Sequence, residues 1–440
     1  MVIRMIAIHA FLQEQFSGND DFFQLEEIVH GSSIWLFGLR SMIDVPQTIG
    51  NLAITIEHMN QPDQAIKHGE NESDALVAGI LAGRLVIFDA HSGQFRIIEP
   101  VSKQLNRAVD APSSESVIQG AMAAFIEDMY TNVGIVREQF KSGRLKVSIS
   151  PVGTEKSTSL ALLYLDTVAN PKLVREIKNH LNAKKQIDIR SLQDVSRILG
   201  FGKWNLISKF KITELPEEVA AVLEQGRVVL FVDRMPFALI LPNSLWDAFT
   251  LGSDRNFPRP IMLSIRAVRL IGAFTTIILP ALYVALVAVN PEVLRLQLAL
   301  SVAQSRDGVP YPAAVETIIM LLLLELVLES SVRLPRSVGP TLTMVGGIIL
   351  GQAVVAAQLV SNLLIIVLAA TTIANSTIVG IQNGYLLRSL KYITVVLAAI
   401  FGVLGIFVGV VIICGLLAGE SSFGISYVRL PFAKDDAEYE

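Results

Sequence analysis

Three long windows of this chain contain no charged residue. The first is Leu270–Pro291, the second is Thr341–Leu387 and the third is Tyr392–Gly419. A helix needs about 20 mostly apolar residues to cross the hydrocarbon core of a bilayer, so these windows predict about four spanning helices. Ala313–Ser330 is a further apolar segment that contains three glutamates, and whether it crosses or re-enters is left open. Gly402, Gly405 or Gly409 could permit a break in the third window, so we expect an all-α polytopic membrane domain of five or six segments.

The first 254 residues differ, because charged residues occur throughout them and strand-like and helix-like segments alternate. Period-two patterns and short apolar runs predict strands, whereas apolar residues three or four apart predict helices. The predicted strands are a hairpin of Phe22–Val29 and Ser33–Leu39, then Leu145–Pro151 and Leu160–Leu165. The predicted helices are a short amphipathic one at the N-terminus, Ser114–Phe140, and one that begins at Pro171.

Two parts of this α/β region resemble each other. Residues 74–100 and 217–242 both show a short apolar helix, a Gly-Arg pair, an apolar strand ending before Asp, a turn, a second strand and Pro. One interpretation is chance, since helix–Gly–hairpin units are common. The other is a pair of related α/β subdomains, 1–150 and 151–254, which predicts equivalent strand partners in both.

The junction Asp254–Arg269 carries four arginines and one acidic residue. Lys and Arg are enriched on the cytoplasmic side of membrane helices, so we expect the α/β region to be cytosolic. It is followed by a transmembrane helical domain at 255–419. The remaining segment, 420–440, is acidic at its end and is predicted to be a short polar tail.

Acidic residues inside apolar segments are costly and usually face a partner or a water-filled path. In Ala313–Ser330, Glu325 and Glu329 share one helical face and Glu316 lies on the opposite one. Either Glu325 and Glu329 face a hydrated path, or they sit at the membrane interface and pair with Arg333 or Arg336. Both interpretations are kept, with Glu329, Arg333 and Arg336 as candidate interfacial charges.

Polar groups in the later apolar windows extend the candidate set. Gln352 and Gln358 either hydrogen-bond across helices or line a path, and the polar run around Asn375 and Ser376 has the same two interpretations. The candidate pore or gating residues are Glu316, Glu325, Gln352, Gln358, Asn375 and Ser376. Small residues allow close helix packing and prolines interrupt helices; the candidate packing or kink positions are Pro280, Pro310, Pro312, Gly347 and Gly351.

Motifs of enzyme chemistry are missing from the sequence. It has no Gly-x-x-x-x-Gly-Lys-Ser/Thr loop, no His-Glu-x-x-His and no Gly-x-Ser-x-Gly. Its six histidines lack metal-ligand spacing, and the net charge of −4 without a basic cluster argues against a nucleic-acid partner. We therefore predict no enzymatic activity, no cofactor, no metal and no nucleic acid.

A longer motif connects these features. It comprises PALYVAL at Pro280–Leu286, the segment Arg306–Pro312, Glu316, and the run from Glu325 to Pro335. This motif resembles the A-subunit family of spore germination receptors, the GerA type, which carries Arg-x-Gly-Val-Pro-Phe-Pro and Glu-Leu-Leu-Arg-Glu-Ala-Gly-x-Arg-Leu-Pro. The chain departs from it at Asn290 and Leu328. A weaker correspondence in the cytosolic half involves Pro112, Glu115, Gly120, Phe125, Asn132 and Arg137.

The resemblance implies a nutrient-responsive receptor subunit in the spore inner membrane, or a stage V sporulation paralogue. Implied partners are membrane lipids, further copies of the chain, a transporter-like B subunit and a lipoprotein C subunit. The implied activity is an oligomeric, gated ion channel that triggers ion release and germination. Two other functions stay open, namely a secondary transporter, suggested by the proline-broken segments, and a non-conducting scaffold.

Overall fold

The computed structural model describes residues 2–29, 32–58, 72–89, 94–101, 123–335 and 338–429. The chain forms two units. The first, here called the α/β unit, comprises Met1–Asn205 and Lys209–Asn243, and the second, the helical unit, comprises Leu206–Ser208 and Ser244–Glu440. The predicted order of an α/β region followed by a helical region is confirmed.

The first sheet of the α/β unit has four antiparallel strands in the order β1-β2-β3-β4. The strands are β1 (Phe22–Val29), β2 (Ser32–Leu39), β3 (Leu85–Asp89) and β4 (Gln94–Ile98); the helices are α1 (Val2–Gln15), α2 (Val45–His58) and α3 (Glu72–Leu81). β1 and β2 form the predicted hairpin, and α1 is the predicted N-terminal helix. Leu12 of α1 and Ile80 of α3 pack on Leu36 and Phe88 of the sheet, so these helices cover an apolar core.

The second sheet has five antiparallel strands in the order β5-β6-β8-β9-β7. Its elements are β5 (Leu145–Val152), β6 (Thr158–Leu165), β7 (Lys211–Thr213), β8 (Val228–Val232), β9 (Ala238–Leu241), α4 (Met129–Gln139), α5 (Pro171–Ala183), α6 (Leu192–Ile198) and α7 (Pro216–Leu223). The predicted strands at 145–151 and 160–165 and the helix opening at Pro171 are confirmed. Asn170 caps α5 by accepting a hydrogen bond from the Lys172 amide at 2.9 Å.

The predicted helix Ser114–Phe140 is wrong at its start, since residues 123–128 are not helical and α4 begins at Met129. Residues 102–122 lie outside the described part of the chain. Asp128 caps α4, because its carboxylate accepts from the Thr131 amide at 2.9 Å. Asn132 then bonds both backbone groups of Ile126, at 2.9 and 2.6 Å, which holds the preceding backbone away from the helix.

A buried ion pair joins the two sheets of the α/β unit. Arg137 of α4 donates two 2.7 Å hydrogen bonds to the carboxylate of Asp21, and its guanidinium also reaches Asn19 at 3.0 Å. Arg137 and Asp21 are almost fully buried. The Asp20 amide donates to the Val147 carbonyl at 2.8 Å, so the segment before β1 is fixed to β5. Two residues of the weaker family pattern, Asn132 and Arg137, thus have structural roles.

The two similar segments form the same arrangement of elements. In each, a short helix is followed within three residues by a glycine with φ +79°, Gly83 or Gly226, and then by a hairpin. Glycine suits both turns, because side chains strain the backbone there. β3 lies between β2 and β4, and β8 lies between β6 and β9, but β9 also pairs with β7 whereas β4 is the last strand of its sheet. A common origin of the halves 1–150 and 151–254 stays a prediction.

The helical unit contains α8 (Arg259–Val284), a π-helical turn (Ala285–Val289), α9 (Leu296–Ser305), α10 (Ala313–Arg333), α11 (Gly339–Ala356), α12 (Asn362–Asn375) and α13 (Ile381–Ala418). Among the described residues, two helical stretches are long and apolar enough to cross a membrane, Arg259–Val289 and Ile381–Phe401. Thr341–Ala356, Asn362–Asn375 and Val403–Ala418 are shorter apolar helices. Pro280 is buried within α8, and the kink expected there stays a prediction.

α13 is broken at Gly402, where φ is 61° and ψ is −138°. The second limb, Val403–Ala418, runs back along the first, Ile381–Phe401. A Cβ at Gly405 would overlap the Leu397 carbonyl, and one at Gly409 would lie 2.9 Å from Thr394. Further along, Ile413 packs in one cluster with Leu386 and Leu390. The stretch predicted at Tyr392–Gly419 therefore contains a break, and Ile381–Ala418 as a whole forms a tight helical hairpin.

Candidate functional site in the helical unit

A buried polar group, here called the Glu316 cluster, joins three helices and a loop. Glu316, in the first turn of α10, is 1% exposed. Its Oε1 accepts from the Ser361 amide at 2.6 Å, and its Oε2 lies 3.5 Å from both Arg306 and the Tyr283 hydroxyl. Tyr283 and Ser361 hydroxyls are 2.9 Å apart. The cluster pairs one anion with one cation, as a buried carboxylate requires.

The loop before α10 explains how this cluster is assembled. Arg306 donates from Nη2 to the Tyr311 carbonyl at 2.8 Å, which orients its guanidinium. Pro312 is the N-cap residue of α10, and its carbonyl accepts from the Glu316 amide at 3.0 Å. Gly308, with φ +84°, lies against the Gln358 side chain, and a Cβ there would come within 2.7 Å of Oε1. The Arg306–Pro312 motif thus shapes both the site and its neighbouring turn.

Glu325 lies in a second group, the Glu325 cluster, on the opposite side of α10. Its carboxylate accepts from Lys391 at 2.9 Å and from Arg388 at 3.2 Å, both on α13. The Lys391 and Arg388 side chains are 7% and 16% exposed, so the cluster holds one net positive charge in a mostly buried setting. Arg388 also stacks on Tyr385, with its guanidinium 4.2 Å from the ring centroid.

The partners of Glu325 differ from those named in the interfacial interpretation, which were Arg333 and Arg336. The signal was present, because Arg388 and Lys391 are the only charged residues from Thr341 to Gly419. A carboxylate in an apolar helix needs a cation, and these two are the cations that the apolar C-terminal region itself offers. Arg336 lies outside the described residues.

Glu329 and Arg333 form an exposed pair at the end of α10. Arg333 donates to Glu329 Oε1 at 2.7 Å, in an i to i+4 arrangement. Glu329 Oε2 also accepts from the Tyr385 hydroxyl at 3.4 Å. Exposed pairs of this kind contribute little to stability. We therefore expect the Glu329–Arg333 pair to add little to the free energy of unfolding.

The remaining candidates do not converge on either cluster. Gln352, Gln358 and Ser376 are exposed, and Asn375 is half-buried. The Asn375 Oδ1 is buried and has no hydrogen-bond partner within the described part of the chain. Ser376 donates to the Thr372 carbonyl of its own helix at 3.1 Å.

Gly347 and Gly351 lie on the open side of α11. No described atom approaches within 4 Å of a Cβ built at either glycine. Most of α11 is exposed along its length, apart from residues such as Val354 that join the apolar core. A single chain therefore leaves this small-residue surface uncovered.

Asn290, where the chain departs from the family pattern, supports the break in α13. Its Oδ1 accepts from the Val403 amide at 3.0 Å, and its Nδ2 donates to Glu292 at 3.0 Å. The Val403 amide is a donor that the break at Gly402 releases from the helical ladder. An Asn that follows an apolar helix is a usual polar cap, so its residue type was the available signal.

An ion pair also fixes the start of α8. Arg269 donates to both oxygens of Asp254, at 2.6 and 2.9 Å, and Arg266 lies 3.6 Å away. Burial raises the pKa of Asp254, but the hydrogen bonds from Arg269 and the Leu251 amide and the arginine charges outweigh it and hold the pKa below its usual 3.8. Arg266 and Arg269, two of the four arginines of the junction, thus share Asp254 as an acidic partner.

Comparison with known proteins gives the relatives of this chain. A family model described as Bacillus/Clostridium GerA spore germination protein matches residues 12–438. The uncharacterized membrane protein YfkQ of Bacillus subtilis (strain 168) is 32% identical over 376 residues, 84% of this chain and 72% of that protein. Spore germination protein A1 of the same organism is 30% identical over 352 residues, 80% and 73% of the two chains.

Two further comparisons extend this set. Spore germination protein GerQA of Bacillus cereus is 28% identical over 405 residues, 90% of this chain and 81% of that protein. Among solved structures, the N-terminal domain of the A subunit of the Bacillus megaterium spore germinant receptor GerK3 matches with a TM-score of 0.36 and 22% identity. That match covers 53% of this chain and 92% of that one. Among the described residues, no group of three His, Cys, Asp or Glu side chains is placed to hold a metal ion.

Proposed function

Since this chain belongs to the GerA family of spore germination proteins, we propose that it is the membrane A subunit of a nutrient-responsive germination receptor. In this proposal the helical unit, in an oligomer, forms a gated ion path in the spore inner membrane. B-type and C-type receptor subunits are its proposed partners. The observation that carries the proposal is the set of exposed polar side chains on short apolar helices, which lipid cannot satisfy.

The helix contacts support six membrane segments that alternate in direction. Tyr283 near the end of α8 meets Glu316 at the start of α10 and Ser361 at the start of α12. In the middle of α8, before Tyr283, Gly272 lies against Thr377, just after α12, so α8 and α12 run in opposite directions. α13 contributes two antiparallel limbs. α8, α10, α11, α12 and these limbs make six segments, with both ends of the helical unit on one side.

The arginines of the junction favour the cytosol for that side. Arg255, Arg259, Arg266 and Arg269 precede or open α8, and Arg333 ends α10. By the alternation above, both positions lie on the same side of the proposed bundle. The α/β unit that precedes α8 is therefore proposed to be cytosolic.

The exposed side of α11 is the proposed meeting surface between copies. Gly347 and Gly351 allow a second helix to approach closely, and the amide of Gln352 beside them can hydrogen-bond to another chain or to water. Gln358 and Ser376 are proposed to line the same path. Glu316 and Glu325 have partners within their own chain, so we assign them to holding the helices in register instead of contacting the ion.

Ionic conductance of the purified protein in planar bilayers tests this proposal. Gln352→Leu replaces an exposed amide on α11, and Gln297→Leu is the matched control, an exposed glutamine on α9. We expect discrete unitary currents whose size or ion selectivity changes with Gln352→Leu and not with Gln297→Leu. Currents that both variants leave unchanged would exclude this path. Silence from a folded oligomer, alone and with its B and C partners, would favour a scaffold.

A further inference from the structure

The short helix α9 has two exposed stripes of opposite character. Residues three or four apart share a line along a helix, and two such lines lie on the open surface of α9. The apolar stripe is Leu296, Leu300 and Ala303, and the polar stripe is Gln297, Ser301 and Gln304. A helix with water around it exposes polar side chains, so the apolar stripe indicates a second environment along one side of α9.

A third side of α9 is covered by its own chain. Ala299 and Val302 are partly buried, and α9 lies against α12. The apolar stripe lies outside this contact, since Leu296 is 76% exposed and Leu300 is 55% exposed. Within the helical unit, the two stripes of α9 therefore point away from its neighbours.

The position of α9 along the chain places it at one end of a spanning stretch. Arg259–Val289 is long and apolar enough to cross a membrane, and α9 follows it after residues 290–295. The Glu316 cluster joins the end of α8 to the start of α10, which follows α9 after residues 306–312. With 10 residues, α9 is about 15 Å long, whereas the hydrocarbon core is about 30 Å thick. α9 thus connects two neighbouring helix ends and is too short to cross the bilayer itself.

The residues on both sides of α9 are typical of the boundary between lipid and water. Glu292 and Arg295 precede the helix and Asp307 follows it, and all three are exposed charges. Tyr311, in the loop after α9, is 42% exposed. Charged side chains avoid the hydrocarbon core, and Tyr is enriched at the interface. These flanks favour a position of α9 at the edge of the hydrocarbon region.

We propose that α9 lies along the surface of the bilayer, with its apolar stripe in the acyl region and its polar stripe towards headgroups and water. Lipid is the occupant that fits both stripes, because the boundary offers an apolar and an aqueous environment side by side along the whole helix. Burial of the apolar stripe then holds the joined ends of α8 and α10 at a fixed depth. The inference rests on the membrane location in the proposed function.

Site-directed spin labelling of the full chain in lipid nanodiscs tests this orientation. Cys414 is the one cysteine of the chain, so Cys414→Ala gives a background for single labels. Leu300→Cys places a label in the apolar stripe, and Gln304→Cys, the matched control, places one in the polar stripe. We expect the ratio of oxygen to nickel-chelate accessibility to be at least about threefold higher at Leu300→Cys, because oxygen enters lipid and the chelate stays in water.

A second position keeps the result independent of one substitution. Leu296→Cys should behave as Leu300→Cys does, since both belong to the apolar stripe. Equal, water-like ratios in the two stripes would overturn the proposal. Low accessibility of the apolar stripe to both reagents would mean that protein covers it, and this result would overturn the proposal as well.

A label on α8 separates these outcomes from a failure of the proposed function. Phe274 lies in the middle of Arg259–Val289 and is 53% exposed, so a spanning α8 places it within the hydrocarbon core. A water-like ratio at Phe274→Cys would refute the membrane location and, with it, the proposal for α9. A lipid-like ratio at Phe274→Cys with a water-like ratio at Leu300→Cys would overturn the proposal for α9 alone.

Discussion

Replacing Gly402 by alanine is the sharpest test of the hairpin in α13. At φ 61° and ψ −138°, the residue lies in a region of backbone conformation that is almost exclusive to glycine. A Cβ there would overlap Oδ1 of Asn290 and approach Cγ1 of Val289 to 2.9 Å. The substitution therefore strains the backbone and also displaces the side chain that bonds the Val403 amide.

The size of the effect follows from these two terms. An unfavourable backbone conformation costs about 1–3 kcal/mol. Moving Asn290 leaves the part-buried Val403 amide without its 3.0 Å partner, which costs about another 1–3 kcal/mol. We expect Gly402→Ala to lower the free energy of unfolding by about 2–6 kcal/mol.

The free energy of unfolding in mixed micelles, followed by circular dichroism, measures this loss. Gly415→Ala in the second limb is the matched control, because no described atom lies within 4 Å of its built Cβ. Alanine favours a helix interior by up to about 1 kcal/mol over glycine, so the control should be neutral or stabilised. Adding Asn290→Ala to Gly402→Ala should recover part of the loss by removing the overlap. Equal stability of Gly402→Ala and Gly415→Ala would refute the argument.

Three further predictions concern the ion pairs. Arg137→Met leaves a buried carboxylate unpaired and should destabilise the α/β unit by about 3–5 kcal/mol in denaturant titrations; an unchanged midpoint would contradict this. Glu325→Gln should lower the stability of the helical unit by about 2–3 kcal/mol, because two cations lose their anion, while Glu329→Gln should have no measurable effect. The lowered pKa of Asp254 means that its contact with Arg269 stabilises the fold at and above pH 3.8 and is lost only as the pH falls further; Asp254→Asn should remove this acid-dependent loss in thermal melts.

The strands were predictable where local pattern decides them. The hairpin at 22–39 and the strands at 145–165 alternate or run apolar between turn residues, and the structure follows those patterns. Apolar positions continue at helical spacing through 123–128, however, and pattern alone extends α4 too far. The start of α4 depends on Asp128 and Asn132, because their side chains accept from or donate to backbone groups there and set the first residue of the helix.

The polar contacts of the helical unit were less predictable, because their partners are far apart in sequence. Glu325 is 63 residues from Arg388 and 66 from Lys391. Helical periodicity places Glu316 and Glu325 on opposite faces of α10, and the two carboxylates do have different partners. Periodicity does not predict which helix packs against each face. The sequence also did not decide which of Gly402, Gly405 and Gly409 breaks α13. Of the three, only Gly402 has backbone angles that interrupt the helix.

The Glu316 cluster has a mechanical consequence for any motion of the bundle. It ties the end of α8 to the starts of α10 and α12, so these helix ends have few independent degrees of freedom. α10 can then move mainly as a lever pivoting at that end. Glu325 lies nine residues along, about 14 Å from the pivot, and a rotation of about 5° would shift it by about 1 Å. A small tilt at the tied end is thus amplified where Glu325 meets Arg388 and Lys391.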